Sequence, residues 1–147
     1  MVEMSVEYQG ELRCTAGHGP SKTRLNTDAP VDNMGKGESF SPTDLLATSL
    51  MTCMVTTMAI MAKKNNINVG HPTAKVIKEM TAVPTRRVAR LPVEITVPVE
   101  LSEDDRQRMR NAALTCPVAK SIHPDIEVPV TFYWGPKRVE EKTDTRH

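Results

Sequence analysis

Apolar and polar residues alternate from the start of the chain. Val2, Met4, Val6 and Tyr8 fall on one side, and Glu3, Ser5 and Glu7 on the other. That two-residue period predicts a strand with one buried face. Gln9-Gly10 reads as a turn, Glu11–Thr15 as a returning strand and Lys22–Thr27 as a third. The loops "AGHGPS" and "DAPVDNMGKGES" are rich in turn formers, so residues 1–30 read as a three-stranded antiparallel unit.

The period then changes. Ser41 is a good helix cap, Pro42 suits the first helical position, and Asp44 sits where a capping box places its acid. The helix is expected over 41–65, with Lys63-Lys64 favouring its negative end before "NNINVGHP" breaks it. Leu45, Leu46, Leu50, Met51, Met54, Val55, Met58, Ile60 and Met61 go nearly all the way round it. A helix apolar on most faces is buried centrally, or between two subunits.

Thr73–Val83 and Arg90–Leu101 read as a second strand pair joined through "VPTRRVA". Pro92 and Pro98 within the latter suggest an edge strand or an interrupted ladder. Ser102 caps a short helix with an acidic first turn, Glu103-Asp104-Asp105, running to about Leu114. Cys116-Pro117 repeats the start signal for a helix ending near Ile122, and Ile126–Trp134 is the last strand. The charged tail, 135–147, is expected to fray. The order β-β-β-α-β-β-α-α-β places strands in adjacent groups, which is α+β rather than doubly wound. We read 1–147 as one domain: N-terminal strands 1–30, central helix 41–65, strand pair 73–101, short helices and last strand 102–134, and tail.

Composition sharpens this picture. Aromatics are only 3% of 147 residues, so the core falls to aliphatic residues and to nine methionines, and a second copy is expected to complete it. A net charge of +1 provides no long-range field toward nucleic acid or an anionic membrane. No segment reaches the ~18 uninterrupted apolar residues of a membrane span. "MVEMSVEYQG" lacks the apolar run of an export signal, and three cysteines cannot all pair within one chain. Both point to a reducing, cytoplasmic setting.

Cys53 and Cys116 carry the candidate chemistry. Cys116 is expected at a helix N-terminus, where unpaired N–H groups stabilise a thiolate and lower its pKa. Taken alone, a cysteine within a buried helix, such as Cys53, is ordinarily a small hydrophobe. Cys14 alternates with Leu12 in a strand and reads as plain packing or exposure. His18, His71, His123 and His147 are isolated, without the spacing of a metal site. "TRRVAR" reads as a solvated turn, with an anionic partner as its alternative, and the helically spaced methionines as core.

"SPTDLLATSLMTC", followed 63 positions after its cysteine by "CPVAKSIHPDIEVPVTF", resembles the OsmC/Ohr family, the osmotically induced and organic hydroperoxide resistance proteins. The element order above is also the family's, so the resemblance covers most of the chain. It implies an OsmC-like α+β fold, with antiparallel sheets wrapped around a long central helix in an intertwined homodimer. It also implies a thiol peroxidase without metal or organic cofactor. Cys53 would attack the hydroperoxide and become a sulfenic acid. Cys116 would then close a disulfide that a cellular dithiol reduces. The Met and Leu around Cys53 would favour bulky organic peroxides.

Members of the hydroperoxide-resistance branch place a Glu directly after the helix-start proline, and that position here is Thr43. The sequence is therefore closer to the general OsmC-like branch. Glu38 and Asp44 are the nearby acids, and Arg13 and Arg24 the nearby cations. Asp44, nine residues before Cys53, falls on the opposite helix face. The rival reading is a dimeric binding module for an apolar small molecule, with non-catalytic cysteines. A weaker third is a redox sensor.

Overall fold

A computed structural model describes residues 1–144. Along the chain come β1 (Met4–Gly10), β2 (Arg13–His18), β3 (Arg24–Asp28), α1 (Pro42–Lys64), β4 (Thr73–Val76), β5 (Glu79–Thr81), β6 (Arg87–Arg90), β7 (Val93–Val97), α2 (Glu103–Leu114), α3 (Pro117–Ser121), β8 (Pro129–Trp134) and β9 (Val139–Asp144). They form two compact units, Met1–Leu46 and the chain from Ala47 onwards.

In the first unit β1, β2 and β3 make an antiparallel sheet in that order. Val6, Ala16 and Leu25 lie opposite one another across it, as do Tyr8, Cys14 and Thr27. Directly opposed residues share a face, so this side is apolar, whereas Glu7, Thr15 and Asn26 line the other. The period was legible, but the expected burial is not found: Met4, Val6 and Tyr8 are 68%, 70% and 64% exposed. Three strands make a single layer, and a single layer cannot bury its own apolar face.

A loop joins this sheet to α1 and is tied back to it. Asp28 N–H donates to the Phe40 carbonyl at 3.1 Å, and Gly37 N–H to that of Ala29 at 3.3 Å. A side chain at Gly35 would overlap the Ala29 carbonyl, so only glycine fits. The expected capping box forms at the helix start. Asp44 N–H donates to Ser41 Oγ at 3.1 Å, and Ser41 N–H to Asp44 Oδ2 at 2.8 Å.

In the second unit α1 buries one stripe, Ala47, Leu50, Met54, Met58 and Ala62, at three- and four-residue spacing. Ala59 and Ile60 are exposed, so the helix is not buried all round within one chain. By length and composition α1 would suffice to cross a membrane, a test that the core helix of a soluble protein also passes. Alternating residues of two strands are buried in the same unit: Val93, Ile95 and Val97 of β7, and Val130, Phe132 and Trp134 of β8. The Phe132 and Trp134 rings stack with centroids 5.2 Å apart.

The strands run β4-β7-β8-β9 in one sheet, with β5-β6 a separate pair. Four details differ from expectation. The segment Thr73–Val83 is split into β4 and β5; β6 takes up residues 87–90, expected as the joining turn, and the segment Arg90–Leu101 holds β7 only from Val93, so the long hairpin is interrupted midway. Pro92 and Pro98 flank β7 rather than interrupt it, and β7 lies inside the sheet between β4 and β8. The β7–β8 pairing is parallel, not antiparallel. A parallel pair needs a long crossover, and α2 and α3 provide it. Finally, the tail contains β9, antiparallel to β8, where fraying was expected; residues 145–147 lie outside the described residues. Its backbone, paired from Val139 against Trp134 to Asp144 against Pro129, satisfies the open edge of β8.

Candidate active site

Cys53 stands at the start of the fourth turn of α1, half-buried, and its carbonyl accepts from Thr57 Oγ1 at 2.8 Å. Cys116 is fully buried at the junction between α2 and α3. Its backbone is extended, at φ −62° and ψ 150°, and Pro117 follows as the first helical residue, as expected. The sulfur accepts from Ala119 N–H at 3.4 Å, and Cys116 N–H donates to the Ala113 carbonyl at 3.3 Å. Thr115 ends α2 by donating its N–H and its hydroxyl to the Asn111 carbonyl, at 3.1 and 2.6 Å.

The fold thus brings two cysteines 63 positions apart close enough for Cys53 to act on the ionisation of Cys116. One expectation is overturned here. Cys116 was expected to have a lowered pKa, and its thiol is instead held above the ordinary value. Burial is the main cause, because a thiolate loses its water there. The Ala119 and Val118 N–H groups oppose this, while neighbouring Cys53 adds to it. A five-residue helix offers too few aligned dipoles to reverse the cost of desolvation. At neutral pH Cys116 is therefore a thiol.

Of the other candidates, Arg13 and Glu38 come together, while Asp44 and Arg24 are placed elsewhere. Asp44 is engaged in the capping box, and Arg24 is exposed on β3. Arg13 and Glu38 form an ion pair in the N-terminal unit, joined by Asp28 at 3.6 Å from the guanidinium. Asp28 faces Arg13 across the β2–β3 ladder and was not anticipated from sequence. Its Oδ2 accepts the Glu38 N–H at 3.0 Å, and this bond chiefly holds its pKa down; burial opposes, and Arg13 assists. The signal available was an acid directly before Ala-Pro at a strand end, which is too common to single out. A cavity of about 380 Å³ opens beside the cluster, bordered by Gln9, Cys14, Asn26 and Ser39. Cys14 is half-buried on this unit's apolar sheet face. Among the described residues no group of three His, Cys, Asp or Glu side chains is arranged to hold a metal ion.

The family model for OsmC-like protein matches residues 35–131, a span that includes both contacting thiols. The chain belongs to the OsmC family. A crystal structure of an OsmC relative from Psychrobacter arcticus 273-4, named for osmotic stress induction and a detoxification response, is 52% identical. It superposes with a TM-score of 0.84 over 90% of this chain and 96% of that one. An organic hydroperoxide resistance protein OsmC from Legionella pneumophila shares the fold at 13% identity and a TM-score of 0.74, covering 90% and 96% of the two chains. An organic hydroperoxide resistance protein from Elizabethkingia anophelis does so at 15% and 0.74, covering 90% and 94%. No curated protein sequence matches this OsmC chain. The α+β arrangement described above is thus the OsmC-like fold.

Proposed function

We propose that this OsmC-like chain is a cysteine-based thiol peroxidase that reduces organic hydroperoxides in oxidative or osmotic stress defence. The observation that carries this reading is the contact between half-exposed Cys53 and buried Cys116. The names of the Legionella pneumophila and Elizabethkingia anophelis proteins support the substrate class. That of the Psychrobacter arcticus protein supports the stress setting.

The chemistry follows from the unequal burial of the two sulfurs. Peroxide reaches the more open one, and the thiolate is the nucleophile. Cys53 sulfur attacks the terminal peroxide oxygen, the O–O bond breaks, and the alkoxide takes a proton and leaves as an alcohol. Cys53 is then a sulfenic acid. Cys116 sulfur attacks it, an S–S bond forms, and the hydroxyl leaves as water with the Cys116 proton. A cellular dithiol reduces the disulfide by exchange, which restores both thiols. A waiting thiol also protects the sulfenic acid from further oxidation.

The remaining expectations join this proposal. The exposed apolar side of the β1–β3 sheet, with Val6, Tyr8 and Leu25, supports a homodimer. Three free cysteines suit a cytoplasmic location. The test is peroxide consumption with cumene hydroperoxide and dithiothreitol. Turnover is expected in the wild type and none in Cys53→Ser; full turnover in Cys53→Ser overturns the assignment. In the rival reading, an apolar-ligand module with inert cysteines, peroxide leaves both thiols titratable.

A further inference from the structure

Arg110 is a buried cation, 6% exposed, on the same helix that leads to Cys116. Its guanidinium donates to Glu103 at 2.8 Å and to Gln107 at 2.7 Å, both on α2. Its Nη1 donates to Glu141 of β9. The second oxygen of Glu141 accepts from Trp134 Nε1 at 3.0 Å. One carboxylate therefore ties α2 to both strands of the last hairpin.

The rest of the α2 contact is unspecific in shape. Beside Arg110 it buries Met109, Ala112 and Ala113. Methionine adapts to gaps, and alanines present an even surface along which a helix can slip. A buried ion pair contributes little net stability, yet its geometry is exacting, so it suits the task of fixing a register. From Arg110 the chain has no slack. α2 ends at Leu114, Thr115 caps it, and Cys116 already begins α3. A slip of one residue moves the helix end by about 1.5 Å, while a disulfide needs its two Cβ atoms about 3.8 Å apart.

We propose that Arg110, held by Glu141, is a positioning residue that fixes where α2 delivers Cys116 against Cys53. This rests on the reading of Cys116 as the thiol that closes the disulfide. It assigns to the C-terminal hairpin a part in a step that takes place on the α2–α3 crossover.

The test separates closure from the step before it. In Arg110→Met, with cumene hydroperoxide added at one equivalent, conversion of sulfenic acid to disulfide is followed by quenched-flow thiol counting. We expect it to slow about tenfold or more, because small misplacements of reacting atoms are costly. Arg110→Lys should recover part of the loss. The bimolecular oxidation of Cys53 is read in parallel. If closure and oxidation fall by the same factor, or if closure keeps the wild-type rate, the proposal is overturned. A second measurement needs no peroxidase activity. The Cys53–Cys116 disulfide is equilibrated against dithiothreitol redox buffer, and Arg110→Met should make it about tenfold easier to reduce. A shift there in a protein inert to peroxide keeps the positioning role and removes the peroxidase reading. An unchanged equilibrium overturns the positioning role. Where Arg110→Met does not fold, Glu141→Gln is carried through the same two measurements.

Discussion

Cys116 lies against Cys53 with its thiol fully buried, while Cys53 remains half exposed. The two sulfurs therefore differ in what can reach them before they differ in chemistry. Brief treatment of the native protein with iodoacetamide should alkylate Cys53 and leave Cys116 free, as read by peptide mass. Alkylation of Cys116 at the same rate would contradict the burial. Under excess cumene hydroperoxide, Cys116→Ser should drive Cys53 on to sulfinic and sulfonic acid, where the wild type is expected to stop at a disulfide.

The raised pKa of Cys116 makes stability depend on alkaline pH. The folded state holds this proton more tightly than the unfolded chain does. Its contribution is complete below the ordinary thiol pKa and is lost as pH rises through the folded value. Urea unfolding of the reduced protein from neutral to about pH 10 should show a decline that Cys116→Ala flattens. Equal slopes in the two proteins would refute it.

Asp28 gives the opposite dependence on the acid side. Its carboxylate pKa is held down, chiefly by the Glu38 N–H and also by Arg13. The stabilisation is present above the ordinary carboxylate pKa and is lost as pH falls through the lower folded value. Asp28→Asn should lower the melting temperature at neutral pH, and the difference from wild type should shrink in acid. A constant difference across that range would show that charge is not what Asp28 contributes.

Ser41 caps α1 through Asp44 N–H and is itself 1% exposed. Ser41→Ala should cost about 1 kcal/mol, the usual loss for a helix cap. Leu50→Ala, at a fully buried position on the same helix, should cost about 2–5 kcal/mol. Chemical unfolding of both variants checks the order; a cap that costs more than the core leucine would reverse this account of what holds α1.

Local signals were legible wherever one residue type has one physical use. Ser41-Pro42 and Cys116-Pro117 start helices because a capping oxygen or sulfur and a proline each suit one position there. Period-two stretches became β1, β7 and β8. What escaped was non-local. The parallel β7–β8 pairing leaves no trace in the alternation of either strand. Glu141 sits in a charged tail, and nothing nearby shows that its carboxylate will meet Arg110 and Trp134. The spacing from Glu103 to Arg110 does place both on one face of α2, but solvent-exposed pairs share that spacing. At the thiols, sequence suggested the pairing through family resemblance. It misjudged the ionisation of Cys116 because burial depends on the whole fold.

The parallel register of β7 and β8 also has a bearing on the protein's life before it is finished. Everything from Pro98 to Val128 is one crossover, and Cys116 rides midway along it. A ribosome releases Cys53 long before that crossover can close over β8. Until the late strand docks, the early cysteine has no companion. On the proposed peroxidase reading, nascent or partly unfolded chains are thus the population in which peroxide would turn a repairable oxidation into permanent loss.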